Sequence, residues 1–94
     1  MVKTLDPLLH GQLRLAIMSI LVSTEKADFN FLKEKTGATS GNLSVQLDKL
    51  EKAEYIKIKK SFKGKRPLTE ANITKIGLKA FELYVEQLKK LINK

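Results

Sequence analysis

A single change of apolar period constrains this chain more than any other feature. Up to Ala53 the apolar residues recur every three or four positions, as they do on helices. At Tyr55-Ile56-Lys57-Ile58-Lys59 they alternate with lysine, as they do on a strand. The alternation runs into Phe62-Lys63-Gly64-Lys65-Arg66-Pro67, a loop centred on glycine, and a weaker return strand over about 68–73 would close a hairpin. Thr74 is expected to cap a long helix, in which the helical spacing resumes to about Ile92. The expected fold class is therefore mainly α with a small β-hairpin (α+β) and a long C-terminal helix. A length of 94 residues admits one domain, 1–94.

The helical stretches have distinct apolar patterns. The first is expected to begin near Asp6-Pro7, with Asp6 as N-cap and Pro7 in the first helical position. Leu9, Leu13, Ala16, Ile17, Ile20 and Leu21 make one face, and Leu8, Leu15, Met18 and Val22 a second stripe about a third of a turn away. Two stripes call for cover from two sides, a core and a subunit interface. A polar joint, Ser23 to Lys26, leads to a brief extended segment at 27–29. A short helix over about 30–35 follows, with Asn30 as its cap and Gly37 as its stop. The third helix spans about 40–53, capped by Thr39 or Ser40. Its Leu43, Leu47 and Leu50 fall within about 40° of one another at 100° per residue, which leaves Val45, Asp48, Lys49 and Lys52 facing away. In the last helix Leu78, Phe81, Val85, Leu88 and Ile92 form a seam of two heptads, suited to a dimer contact or to docking on the core.

Charge is concentrated on the hairpin. Lys and Arg number 18 against 10 Asp and Glu, a net +8. Six of those basic residues lie between Tyr55 and Thr69, where there is no acid. Such a block favours a polyanionic partner over the mixed signs of an ordinary solvated face. With no cysteine and one histidine, the composition offers no disulfide framework, thiolate site or metal cluster. No nucleophile–base set, paired-carboxylate scaffold or phosphate-cradling loop can be read. The expectation is a non-enzyme without metal or cofactor. The longest charge-free stretch, Leu15 to Thr24, is far short of the ~20 residues that cross a bilayer, so a cytoplasmic protein with no membrane contact is expected.

Four stretches carry a resemblance to a known group: LRLAIMSIL, TGATSGNLSVQLDKLEKAEYI, KGKRP and ITKIGLKAF. In this order the chain resembles the small, single-domain winged helix-turn-helix transcriptional regulators of the MarR-like and ArsR-like superfamily. The likeness is most specific at Gly41 to Leu47, followed by Leu50-Glu51. It implies a turn and recognition helix at about 30–53, a wing at about 55–73, and dimerisation by 6–23 and 75–92. Two departures stand out. Glu54 occupies a position where the family usually has glycine, and the aromatic that often precedes the last helix is replaced around Ala71-Asn72, so the return strand is expected to be short or irregular. The Cys and His ligand sets of metal-sensing ArsR relatives are missing, so metal sensing is not implied.

The physics of DNA reading agrees with this likeness. The major groove admits a helix whose N-terminal half meets base edges. That half offers Thr39, Ser40, Asn42, Ser44, Val45 and Gln46, with Lys49 placed for the backbone. Asn42 and Gln46 have the chemistry to bond adenine bidentately, Val45 to meet a thymine methyl, and the Thr39 and Ser40 hydroxyls to hold a phosphate. Each has a plain alternative: Ser40 as a cap, Ser44 bonded back to its own helix, Gln46 bonded internally. In the wing, Lys60, Lys63, Lys65 and Arg66 are candidates for the DNA backbone or minor groove. Lys57 and Lys59 also suit a guard of an edge strand. His10 and Arg14 resemble a His and an Arg near the start of the family's first helix, where a structural or interface role is expected.

The function expected is that of a sequence-specific regulator of double-stranded DNA, a homodimer and a repressor by family habit. The dimer interface would comprise Leu8, Leu15, Met18, Val22, Leu78, Phe81, Val85, Leu88 and Ile92. An unidentified small-molecule effector could bind between subunits. The rival is a winged helix that binds an acidic protein partner through its basic hairpin. An RNA-binding role is weaker, because the wing has only Phe62 for base stacking.

Overall fold

The computed structural model describes residues 5–93 and contains four helices and three strands. The elements are α1 (Gln12–Thr24), β1 (Lys26–Asp28), α2 (Phe29–Thr36), α3 (Ser40–Lys52), β2 (Ile56–Lys63), β3 (Arg66–Ile73) and α4 (Lys75–Ile92). β3 is the centre of an antiparallel sheet ordered β1-β3-β2. The core unites all the elements: Leu9, Ile17, Met18, Leu21, Leu32, Leu43, Leu50 and Ile56 are fully buried, joined by Leu47, Ala71 and Tyr84.

The first helix starts later than its sequence suggests. Asp6 does cap a turn, accepting from the Leu8 N–H at 2.9 Å while its carbonyl accepts from His10 N–H. Gly11 then breaks off that turn with an extended backbone (φ −93°, ψ 132°), and α1 begins at Gln12. The second helix is capped earlier than expected, by Asp28 instead of Asn30; the Asp28 carboxylate accepts from Phe31 N–H at 2.7 Å. Gly37 ends it at φ 71°, the left-handed conformation that costs glycine least. Met18 is wholly buried within the chain. It belongs to the core, because α2, α3 and the sheet together wrap α1 beyond its first stripe; its assignment to a subunit interface is therefore withdrawn.

The hairpin is longer and tighter than the alternation implied. β2 continues through Phe62 to Lys63, and the connection is only Gly64-Lys65, with Lys63 paired to Arg66. Gly64 lies at φ 66° in the first of the two turn positions, where hairpins of this length demand a positive φ. The return strand is neither short nor irregular: β3 pairs with β2 from Arg66 to Ile73. Its ladder rests on backbone bonds to β1 on one side and β2 on the other, with buried Ala71 paired to both Ala27 and Ile58.

A compact junction joins α3, the sheet and α4. Glu54 takes φ 66°, which ends the turn after α3 and lets Tyr55 N–H reach the Leu50 carbonyl at 3.0 Å. The Thr74 hydroxyl donates to the Glu54 carbonyl at 2.6 Å and accepts from Gly77 N–H at 2.9 Å, so it both caps α4 and ties it down. Gly77 has no room for a side chain, because a Cβ there would run into the Tyr55 carbonyl. The Tyr55 hydroxyl donates to the Asp6 carboxylate. Burial, then that bond and the Asp6 charge, push the Tyr55 phenol up to about 12. Further along, His10 Nδ1 and the buried Tyr84 hydroxyl lie 2.8 Å apart, pinning α4 to the segment before α1.

Candidate nucleic-acid interface

The three leucines of α3 anchor its inner face, since Leu43 and Leu50 are fully buried and Leu47 nearly so. The opposite face is open: Ser40, Gly41, Asn42, Ser44, Val45, Asp48, Lys49 and Lys52 are exposed. Val45, at 49% exposure, is an apolar side chain in water that contributes little to the fold. Thr39 provides the N-cap, its hydroxyl oxygen accepting from Asn42 N–H at 3.1 Å. Its own O–H proton stays available beside Ser40. Gly41 stands in the first turn with open space where a side chain would project.

Gln46 is half-buried and already engaged. Its Oε1 accepts from Arg14 Nη1 at 2.6 Å and its Nε2 donates to Asn42 Oδ1 at 3.0 Å. Arg14 Nε also donates to the Leu8 carbonyl at 2.6 Å, so this one guanidinium joins the segment before α1 to the outer helix. The internal alternative for Gln46 is the one realised. Sequence patterning missed the part played by Arg14, since nothing local to α1 says that its first turn crosses α3 beside Gln46.

Register sorts the basic residues of the hairpin by face. Side chains alternate along a strand, so the inward row of Ile56 and Ile58 continues outward through Lys60 and Phe62. Across from them stand Ile73, Ala71, Thr69 and Pro67. Lys60 shares a groove of about 160 Å³ with Ser44, Asp48 and Thr69, between α3 and the hairpin. Phe62 is 74% exposed next to the tip. Lys57, Lys59, Lys63 and Arg66 occupy the other face, where Lys59 is paired with Glu70 and Lys57 with Asn72. Lys65 sits in the turn itself. β2 is an edge strand, which fits Lys57 and Lys59 as guards against edge pairing. Glu51 adds to this by accepting from the Ile58 N–H at 3.1 Å.

The residues assigned to an interface divide similarly. Leu8, Leu15, Phe81 and Leu88 are half-buried against the core, Val22, Leu78 and Val85 are half-buried, and Ile92 is 73% exposed.

An anchored helix whose outer face is open, a preceding helix and tight turn, and a basic two-stranded hairpin alongside define a winged helix DNA-binding regulator. Residues 13–92 match the family of winged helix DNA-binding domains, and the chain belongs to that family, as its resemblance to the small MarR-like regulators implied. The uncharacterized protein MJ0432 of Methanocaldococcus jannaschii is 37% identical over 82 residues, 87% of this chain and 89% of the relative. A transcriptional regulator homologue from Pyrococcus horikoshii OT3 superposes with a TM-score of 0.86 at 30% identity, covering 92% of this chain and 85% of that one. YusO from Bacillus subtilis shares the fold at TM-score 0.79 and 14% identity, over 98% of this chain and 64% of its own. No helix among the described residues is long and apolar enough to cross a membrane.

Proposed function

We propose that this protein acts as a homodimer and as a repressor, with α3 in the major groove of double-stranded DNA and the wing on the backbone or in the minor groove. The observation that carries this reading is the shared side of the two elements: Ser44 and Asp48 of α3 line one groove with Lys60 of the hairpin. Val45 and Asn42 would meet bases, with Ser40, Ser44 and the Thr39 hydroxyl toward phosphates. Lys49, Lys60, Lys63, Lys65 and Arg66 would meet the backbone. Gly41, with nothing beside it, would let a sugar-phosphate strand approach the start of the helix.

The dimer would place two copies of α3 about 34–36 Å apart on a near-palindromic site. Half-buried apolar residues on α1 and α4, together with exposed Ile92, support the two helices as its seam. The test is selection of bound duplexes from a random pool. Paired half-sites about one helical turn apart are the expected result. A pool that yields no preferred sequence, or a monomer on every bound duplex, overturns the proposal. Selective capture of an acidic protein without any DNA preference would favour the adaptor role instead.

A further inference from the structure

Phe62 stands on the part of the hairpin that projects from the sheet. β1 pairs with β3 only as far as Glu70, so residues 60–69 form a two-stranded arm. From Thr69 and Lys60 to the turn it is about 13 Å long. Phe62 and Pro67 lie directly opposite each other near its end. The Ile58 N–H is turned outward to Glu51, so Ile58 and Ala71 are a non-hydrogen-bonded pair, and Phe62 and Pro67, four residues on, are another. Such pairs bring side chains closest together, and a proline there gives up no ladder bond.

The face that holds these two rings is the one turned toward α3. Lys60, in the same row, shares its groove with Ser44 and Asp48, and Phe62 is about 7 Å further toward the tip. At 74% exposure the ring does little for the folded chain. Lys60, Lys63, Lys65 and Arg66 surround it in sequence, with no acid from Tyr55 to Thr69. An apolar ring in a positive field suits an apolar surface set within a polyanion. The base stack of a duplex, reached through the minor groove between its phosphates, is such a surface.

We infer that Phe62 is a wedge. With α3 in the major groove, the arm carries the ring into the adjoining minor groove, where it enters between two base pairs, partly unstacks them and bends the duplex. This inference rests on the DNA-binding reading of α3 and the hairpin, and it gives the wing an apolar contact besides its charges. Pyrimidine–purine steps open most easily, so the wedge is expected at a TA or CA step beside the half-site.

The probe is the duplex recovered by selection, with the adenines flanking each half-site replaced one at a time by 2-aminopurine, which brightens when its stack opens. The parent protein should raise the emission several-fold at one flanking step. Energy transfer between dyes on the duplex ends should report a bend of about 20–90°. Phe62→Ala should leave that base dark and the duplex nearly straight, with about tenfold weaker binding. Its slope of log K against log salt should match the parent's, because no phosphate contact is removed. Phe62→Trp should keep the bend, and its indole, in a chain that otherwise has no tryptophan, should be quenched by the bases. Thermal melting verifies both folds; should Phe62→Ala not fold, an unquenched indole on the bound duplex overturns the wedge. A parent protein that binds the duplex with every 2-aminopurine dark, or a bend that survives Phe62→Ala, overturns the inference and leaves DNA binding intact. So does a salt slope that falls in Phe62→Ala, since the ring would then only hold the lysines in place. A parent protein that selects no motif overturns the DNA-binding reading itself.

Discussion

Glu54 bears a left-handed backbone that an L-residue adopts at a cost of about 1 kcal/mol, and nothing in its side chain is needed to hold the turn. Glu54→Gly should therefore raise the unfolding free energy by about 1 kcal/mol in urea titration. Gly41 presents the opposite case. It sits in a helix with open space around it, so Gly41→Ala should stabilise the free protein by about 0.5–1 kcal/mol. The same methyl group should weaken duplex binding, because the space it fills is where the proposed DNA strand passes; unchanged affinity would remove Gly41 from the interface. Tyr55 predicts a pH effect. Its phenol is raised from 10.0 to about 12 in the folded chain, so the neutral form is the one the fold favours. Its contribution is fully present below pH 10 and is lost as pH rises from about 10 to about 12. Melting temperatures taken across that window should fall more steeply for the parent than for Tyr55→Phe.

At the scale of elements, the proposed DNA contact divides the hairpin between its tip and the middle of its edge strand. Replacing Lys65 and Arg66 by alanine should weaken binding to all duplexes similarly. It should also reduce the slope of log K against log salt by about 1 for each phosphate no longer neutralised. Replacing Lys57 and Lys59 should leave that slope in place, since they lie along the strand beside Glu70 and Asn72. Titrations at several salt concentrations distinguish the two pairs. Much of this was legible beforehand. The leucine spacing of α3, the Thr74 cap and the lysine alternation each depend on neighbours a few positions away, and each was placed correctly from the sequence. What could not be read were arrangements set by distant neighbours. The start of α1 depends on how Arg14 folds back over Gly11, the burial of Met18 on how three elements close round one helix, and the polarity of Gln46 on a crossing of α1 with α3. The length of β3 was missed for a related reason: its ladder is secured by β1 and β2 together, and its own side chains carry little of that signal.

For the whole molecule, the net charge of +8 is weighted toward one hairpin, and the outer face of α3 is nearly balanced, with Lys49 and Lys52 against Asp48. On the proposed reading, holding DNA and choosing a sequence therefore fall to different elements. If each subunit neutralises about four phosphates, log K for the dimer should drop by about seven per decade of salt. Ile92→Lys tests the dimer, because Ile92 is 73% exposed in the protomer and the change leaves the core untouched. It should shift sedimentation toward monomer and cut the salt slope by about half, with melting of the protomer little altered. The sheet order has one more consequence. β1 pairs with β3 and not with its neighbour in sequence, so the pairing of Asp28 with Glu70 encloses α2, α3 and most of the hairpin in a single loop of chain. During synthesis the reading helix emerges well before the strand that shuts this loop, and closing it costs chain entropy that only the assembled core repays. A growing chain that has exposed every lysine of the wing but not yet the end of β3 would carry the attraction for nucleic acid without the means to discriminate among sequences.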